Sequence, residues 1–236
     1  MIEKNLALVL HRINLNEKEK FEFEDIHIDI FRKLLHLISK SSSKYKYTIT
    51  FDDGNFSDYT LAFKELQNMS LNGIFFIVPE WINKKNHLTW DHIKEMSKYG
   101  MKFGSHSFSH PRFNELSSDQ CKIELLKSKS VIEDHIGISI IDFAFPYGIY
   151  DNISVQHAIN AGYKNIFTSK HGIYKNNDIL KPRNSLNSTT TYSDILKTLY
   201  PSQIQQLSWH LEDTVKNGIK QIVGIERYTK LRDLIF

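Results

Sequence analysis

The sequence predicts an α/β protein built around a mainly parallel sheet, and two observations predict it. Short apolar or β-branched runs alternate with longer segments of helical spacing over most of the chain, and repeated strand–helix units imply parallel strands with helices laid on them. The strand-like runs number about seven, close to the eight of a closed (β/α) barrel; a doubly wound open sheet fits the same alternation. In both folds chemistry gathers at the carboxyl ends of the strands. A chain of 236 residues is long enough for one large domain with a proper core.

In order, "LALVLH" reads as a first strand and "EDIHIDIFRKLLHLISK" as a helix ended by the serines after Lys40. "YKYTITF" alternates and is β-branched or aromatic, as strands are. Ser57 is placed to cap a helix through "DYTLAFKELQNM", and "IFFIV" has the all-apolar character of a strand covered on both faces. Thr89 is a cap for "WDHIKEMSKYG", with Gly100 as its stop, and "MKFGSH" follows as a strand. Ser117 or Ser118 opens the next helix and Gly137 closes it. "IDFAF" is a strand, Asp151 caps "NISVQHAINAG", "NIFTS" is a strand and "ILKPRNSL" a last short one. After Pro201 the strand pattern stops and "SQIQQLSWHLEDTVKNGIKQ" and "ERYTKLRDLIF" read as appended helices. The expected division is a catalytic domain over 1–200 and a helical extension over 201–236.

Composition narrows the class. With 24% charged and 41% apolar residues the chain is ordinary for a globular protein. A net charge of +3, spread along the chain without an arginine-rich arm or zinc-ribbon spacing, gives no argument for nucleic acid. One cysteine, Cys121, excludes an internal disulfide and reads as a small buried apolar residue on a helix. The N-terminal stretch lacks the features of a signal peptide and no run approaches a membrane span, so the expected location is the cytoplasm. Lys216, Lys220, Arg227, Lys230 and Arg232 make the tail basic, which allows a weak peripheral membrane contact, although a charged helix is more often a solvated face.

Three short motifs fall at strand ends. "TFDDG" places Asp52 and Asp53 side by side before Gly54; alone it is a turn signal. "HSFSH" sets His106 and His110 four apart, so one helical turn or a tight loop brings both imidazoles to one side. Two histidines and one carboxylate with an open position make a recognised catalytic metal arrangement, and one of the aspartates can be the third ligand. The other can then act on a water beside the metal, and the dication would offset the repulsion between the two carboxylates. "FPYG" makes a stiff turn at Pro146 after a strand; the backbone N–H groups of that turn can face a developing oxyanion, with Tyr147 forming a wall.

In this order and spacing the three motifs resemble those of the polysaccharide deacetylase family (carbohydrate esterase family 4, the chitooligosaccharide deacetylase homology domain), over most of residues 5–190. The resemblance implies a distorted (β/α)7-type barrel and hydrolysis of an N-acetyl group from a sugar. It implies Asp52 as the catalytic base, Asp53, His106 and His110 as metal ligands, and Tyr147 N–H at the oxyanion. The metal implied is zinc, with cobalt, nickel or iron compatible with two nitrogens and one oxygen.

Two departures stand out. The family carries an arginine two residues before the motif proline, where this chain has Ala144; Arg183 in "LKPRNSL" is the candidate replacement. The family's late Leu-x-His, which carries the acid, is missing after residue 180. The first strand instead ends in "LVLH", as in a circularly permuted member, and makes His11 the candidate acid, with His171 in reserve. Trp81, Trp90 and Tyr150 are candidates to stack on sugar faces. The leading expectation is therefore a metal-dependent N-deacetylase of an amino sugar in a glycan or glycan precursor. Its rivals are an O-acetyl ester or other amide hydrolase on the same fold, a sugar-binding member without catalysis, and a structural protein working through its C-terminal helices.

Overall fold

The structure is a computed structural model that describes residues 4–15, 22–42, 44–224 and 227. The chain enters as β1 (Lys4–Leu10), forms a small parallel pair from β2 (Ile13–Asn14) and β3 (Ile26–His27), and continues into α1 (Ile28–Ser39). Next come β4 (Tyr45–Phe51), a π-type turn over Asp58–Ala62, α2 (Phe63–Asn68), β5 (Gly73–Ile77) and α3 (Trp90–Lys98). They are followed by β6 (Lys102–Ser105), α4 (Ser118–Ile136), β7 (Asp142–Ala144), α5 (Asn152–Asn160) and β8 (Asn165–Thr168). β9 (Tyr174–Lys175), β10 (Leu180–Ser185), α6 (Tyr192–Leu199) and α7 (Gln203–Val223) complete the described chain.

Among the described residues, β1, β4, β5, β6, β7, β8 and β10 pair in parallel, and β10 returns to β1 with Ala7 opposite Arg183 and Leu8 opposite Asn184. The sheet therefore closes, and the architecture is a (β/α)7 barrel rather than an open doubly wound sheet. β9 lies antiparallel on the start of β1.

Side chains alternate along the strands. Leu6, Leu8, Phe51, Phe75, Ile77, Phe143 and Ile166 belong to the larger cluster with the helices, while Ala7, Ile74, Phe76, Ala144, Phe167 and Tyr174 form a second, smaller one. The smaller set comes from the alternate strand positions and is the filling of the barrel. Gly104 in β6 borders it. A Cβ there would lie 2.5 Å from two Phe76 ring carbons and 2.9 Å from the Asp142 carbonyl, so only glycine fits beside the Phe76 ring.

Most helix boundaries follow the caps read from the sequence. Thr89, Ser117 and Asp151 each close a capping box, and Gly137 ends α4 in the left-handed region at φ 70°. Ser57 does not cap. Its hydroxyl accepts from Ile13 N–H at 3.1 Å, and a π-type turn starts the helix instead. The first helix begins later than its pattern suggests, because Ile26 and His27 pair with Ile13 and Asn14 before α1 starts. In the expected C-terminal extension, α7 buries Trp209; Lys220's side chain, Lys230, Arg232 and the helix expected over "ERYTKLRDLIF" lie largely outside the described residues. Among the described residues no helix is long and apolar enough to cross a membrane.

Candidate active site

The candidate residues meet where β1, β4, β6, β7 and β10 end. Asp52 follows β4 directly, and Asp53 (φ 76°) and Gly54 (φ 67°) both adopt the left-handed region. That bend solves a problem of adjacent side chains, which in an extended strand would point apart. Both carboxylates turn to the same imidazole: His106 Nε2 is 3.7 Å from Asp52 Oδ2 and 3.7 Å from Asp53 Oδ1.

"HSFSH" forms a tight loop, not a helical turn. Ser107 (φ 65°) and His110 (φ 64°) are left-handed, and Ser107 Oγ accepts from His110 N–H at 3.0 Å. The loop places His110 Nε2 3.4 Å from Asp53 Oδ1. Each of Asp53, His106 and His110 offers a ligand atom, and these atoms lie within 4.8 Å of one another.

These residues fit a divalent cation. Asp53 Oδ1 and His110 Nδ1 are buried, and among the described residues no hydrogen bond is completed to them, a cost that a bound cation would relieve at the carboxylate. His106 Nδ1 is 2.7 Å from the Ala144 carbonyl, which can only accept, so Nδ1 carries the proton and Nε2 presents a lone pair to the triangle. Burial pushes His106 down to about 4, keeping it neutral. Burial alone would raise Asp53, but His110, His11 and His106 hold it well below the usual carboxylate range.

Asp52 has a different partner. Arg183, 1% exposed, grips it with both arms, Nη1 to Oδ1 at 2.6 Å and Nη2 to Oδ2 at 2.8 Å. The guanidinium also donates to Thr50 Oγ1 and to the Thr168 carbonyl, each at 3.2 Å, and lies over the Phe76 ring at 5.3 Å. Burial would push Asp52 up; Arg183 first, then His106, outweighs it and keeps the carboxyl below its ordinary value. Ala144 sits in the interior cluster with Phe76, and its contribution to the site is the carbonyl that orients His106.

His11, just past β1, lies 4.0 Å from Glu24. Burial disfavours its charged form, but Glu24, Asp53 and Asp52 together raise its pKa above the ordinary histidine value. Tyr147 takes φ 57° in the turn after β7, and its ring meets His110 at 4.6 Å; Pro146 beside it is buried. Trp81 also packs on His110, with ring centres 4.7 Å apart.

Other candidates go elsewhere. Trp90 stacks on His135 at 3.9 Å and Tyr150 on Phe145 at 5.1 Å. His171 donates from its backbone to Asp213 on α7 and pairs with the same carboxylate through Nδ1, both at 2.8 Å. Cys121 is buried, and burial pushes its thiol up to about 11. Three contributors carried no signal in the sequence: Thr50 and Thr168, which seat Arg183, and Asp58. The last is fully buried, and among the described residues neither of its oxygens finds a hydrogen bond; burial and then Asp53 hold its carboxyl well above its ordinary value.

Comparison with known proteins agrees with the motifs. The polysaccharide deacetylase family profile matches residues 39–166. The protein YxkH of Bacillus subtilis (strain 168) is 29% identical over 133 residues, 56% of this chain and 48% of its own. This chain thus spans about half the length of that relative. The peptidoglycan-N-acetylmuramic acid deacetylase PdaA of the same strain is 27% identical over 80% of this chain and 70% of its own. The Streptococcus pyogenes deacetylase PplD superposes with a TM-score of 0.76 at 21% identity, covering 85% of this chain and 100% of PplD, a likeness of fold.

Proposed function

The chain belongs to the polysaccharide deacetylase family, and from that premise we propose that it is a metal-dependent hydrolase removing an N-acetyl group from an amino sugar of a glycan or glycan precursor. The observation that carries this reading is a pair of neighbouring carboxylates given different surroundings. Asp52 is clamped by Arg183, while Asp53 faces His106 and His110 with an oxygen that no described residue hydrogen-bonds.

A divalent cation at Asp53, His106 and His110, zinc by its preference for this donor set, would supply Lewis acidity to the acetyl carbonyl and acidify an attacking water. Asp52 is the base that takes the water's proton. Arg183 keeps Asp52 ionised and fixes its orientation, since a bidentate pair leaves the carboxylate little freedom to rotate. Tyr147 N–H, with Pro146 stiffening the turn, faces the oxyanion, and His11 protonates the leaving amine. Trp81 and Tyr147 flank His110 and form the apolar walls against which the acetyl methyl and sugar ring rest. The catalytic unit is taken as 1–200, since β10 completes the ring and α6 follows it, with 201–236 as an extension.

The test is metal analysis of the purified protein with an assay of acetate release from N-acetylglucosamine oligomers and peptidoglycan fragments. Wild-type protein is expected to hold one divalent ion and release acetate. Asp52→Asn is expected to keep the ion and lose turnover by about 10²–10⁴-fold, the usual contribution of a positioned base. Bound metal with no acetate from any acetylated sugar would refute the proposal.

A further inference from the structure

The loop that carries His106 and His110 is held from behind by a residue that no motif contains. Glu124, half-buried on α4, accepts from two successive backbone N–H groups with one oxygen, Phe108 and Ser109 each at 2.9 Å. Its other oxygen accepts from the Ser109 hydroxyl at 2.7 Å. All three donors lie between Ser107 and His110, the two left-handed residues of the loop.

The same face of α4 adds two more supports. Ser128 bonds Ser105 hydroxyl to hydroxyl at 2.7 Å, and Ser105 Oγ accepts from Ser107 N–H at 3.2 Å. Lys127 places its ammonium 3.6 Å over the Phe108 ring. From the opposite side Glu80 N–H donates to the Phe108 carbonyl at 3.1 Å.

We infer that Glu124 is a positioning residue for the metal triangle, its carboxylate locking the left-handed loop so that His110 faces Asp53. The physical reason is the run of parallel donors. Successive N–H groups beside a left-handed residue form a concavity that favours an anion, and a carboxylate fills it with both oxygens engaged. Without it the loop would relax toward ordinary backbone angles and carry the His110 imidazole off the triangle. Outer groups of this kind set how strongly the inner ligands bind.

The inference rests on the metal reading of Asp53, His106 and His110, and the test separates the two. Zinc affinity is measured by competition with a chromophoric chelator, and the thermal midpoint is measured on the metal-free protein. Four proteins are compared: wild type, Glu124→Ala, Glu124→Gln and Glu133→Ala. Glu133 is the control because it makes the same kind of bond from the same helix, accepting from Ile140 N–H at 2.7 Å, away from the loop.

Glu124→Ala is expected to weaken zinc binding by about 10–100-fold, and Glu124→Gln, which keeps an acceptor for the two N–H groups, to restore most of the affinity. Glu133→Ala is expected to lower the metal-free midpoint while leaving zinc affinity at the wild-type value. Wild-type affinity in Glu124→Ala overturns the inference alone. Equal loss in Glu124→Ala and Glu133→Ala, tracking the midpoint, also overturns it. A wild type that binds no zinc overturns the metal reading and the inference with it. If Glu124→Ala does not fold, Glu124→Asp, one methylene short of the loop, takes its place: weakened zinc binding supports the inference and wild-type affinity overturns it.

Discussion

At the scale of single residues, the fork between Arg183 and Asp52 decides most. The pair is buried, so its worth lies in geometry as much as in charge. Removing the arginine leaves a carboxylate uncompensated in the interior, a loss of about 3–5 kcal/mol. Arg183→Lys retains the charge but not the two parallel donors. It is expected to keep the bound metal and to lower kcat by about a hundredfold, since a small misplacement of a catalytic group has that effect. Metal analysis with steady-state kinetics checks it; turnover equal to wild type would remove Arg183 from the mechanism. Asp52 sits below its ordinary value in the folded protein, so its stabilising contribution is complete above about pH 4 and is lost as the pH falls through its folded value.

At the scale of elements, the strands serve the site by what they leave out. β6 delivers His106, and its Gly104 faces a ring that fills the barrel centre. Gly104→Ala forces a methyl into Phe76 and against the Asp142 backbone, and overpacking of this kind costs about 1–3 kcal/mol. The thermal midpoint is expected to fall by about 2–12 °C, with part of the loss recovered in Gly104→Ala combined with Phe76→Leu. An unchanged midpoint in the single variant would show that the ring moves freely. Elements are also what the sequence shows best. "YKYTITF" is β4 residue for residue, and Thr89, Ser117 and Asp151 cap helices as expected. Ser57 misleads because its hydroxyl answers an N–H on β2, a partner distant in sequence. β9 and the β2–β3 pair carry too few residues to show a period at all.

At the scale of the whole molecule, closure of the ring makes the site. β10 pairs with β1 and β1 with β4, so Arg183, at the far end of the barrel sequence, reaches Asp52 just past β4, on the rim where His11 also feels the Asp53 and Asp52 charges. His11 reaches the rim through the pairing of β1 with β4, Leu10 opposite Phe51, and closure sets Arg183 on the other side of β1. His11→Ala is expected to retain the metal and to slow the chemical step by about 10²–10⁴-fold, read in single-turnover acetate release. A wild-type rate would return His11 to the role of a strand-end histidine paired with Glu24.

The strand–helix alternation, the motif set Asp52, Asp53, His106 and His110, and the gap at Ala144 are all legible in the amino-acid order, because each is local: a period, a cap or a spacing within a few residues. Three things depend on the folded chain instead, the first two entering the sequence only as expectations drawn from the family resemblance. The sheet closes, Arg183 rather than a residue of β7 grips Asp52, and Glu124 backs the histidine loop. The side-chain contacts of Arg183 and Glu124 join residues 15 to 133 positions apart, and a spacing rule cannot see them. What brings them together is the pairing of the last strand with the first and the packing of α4 against the strand end, both set by burial of the whole apolar surface at once.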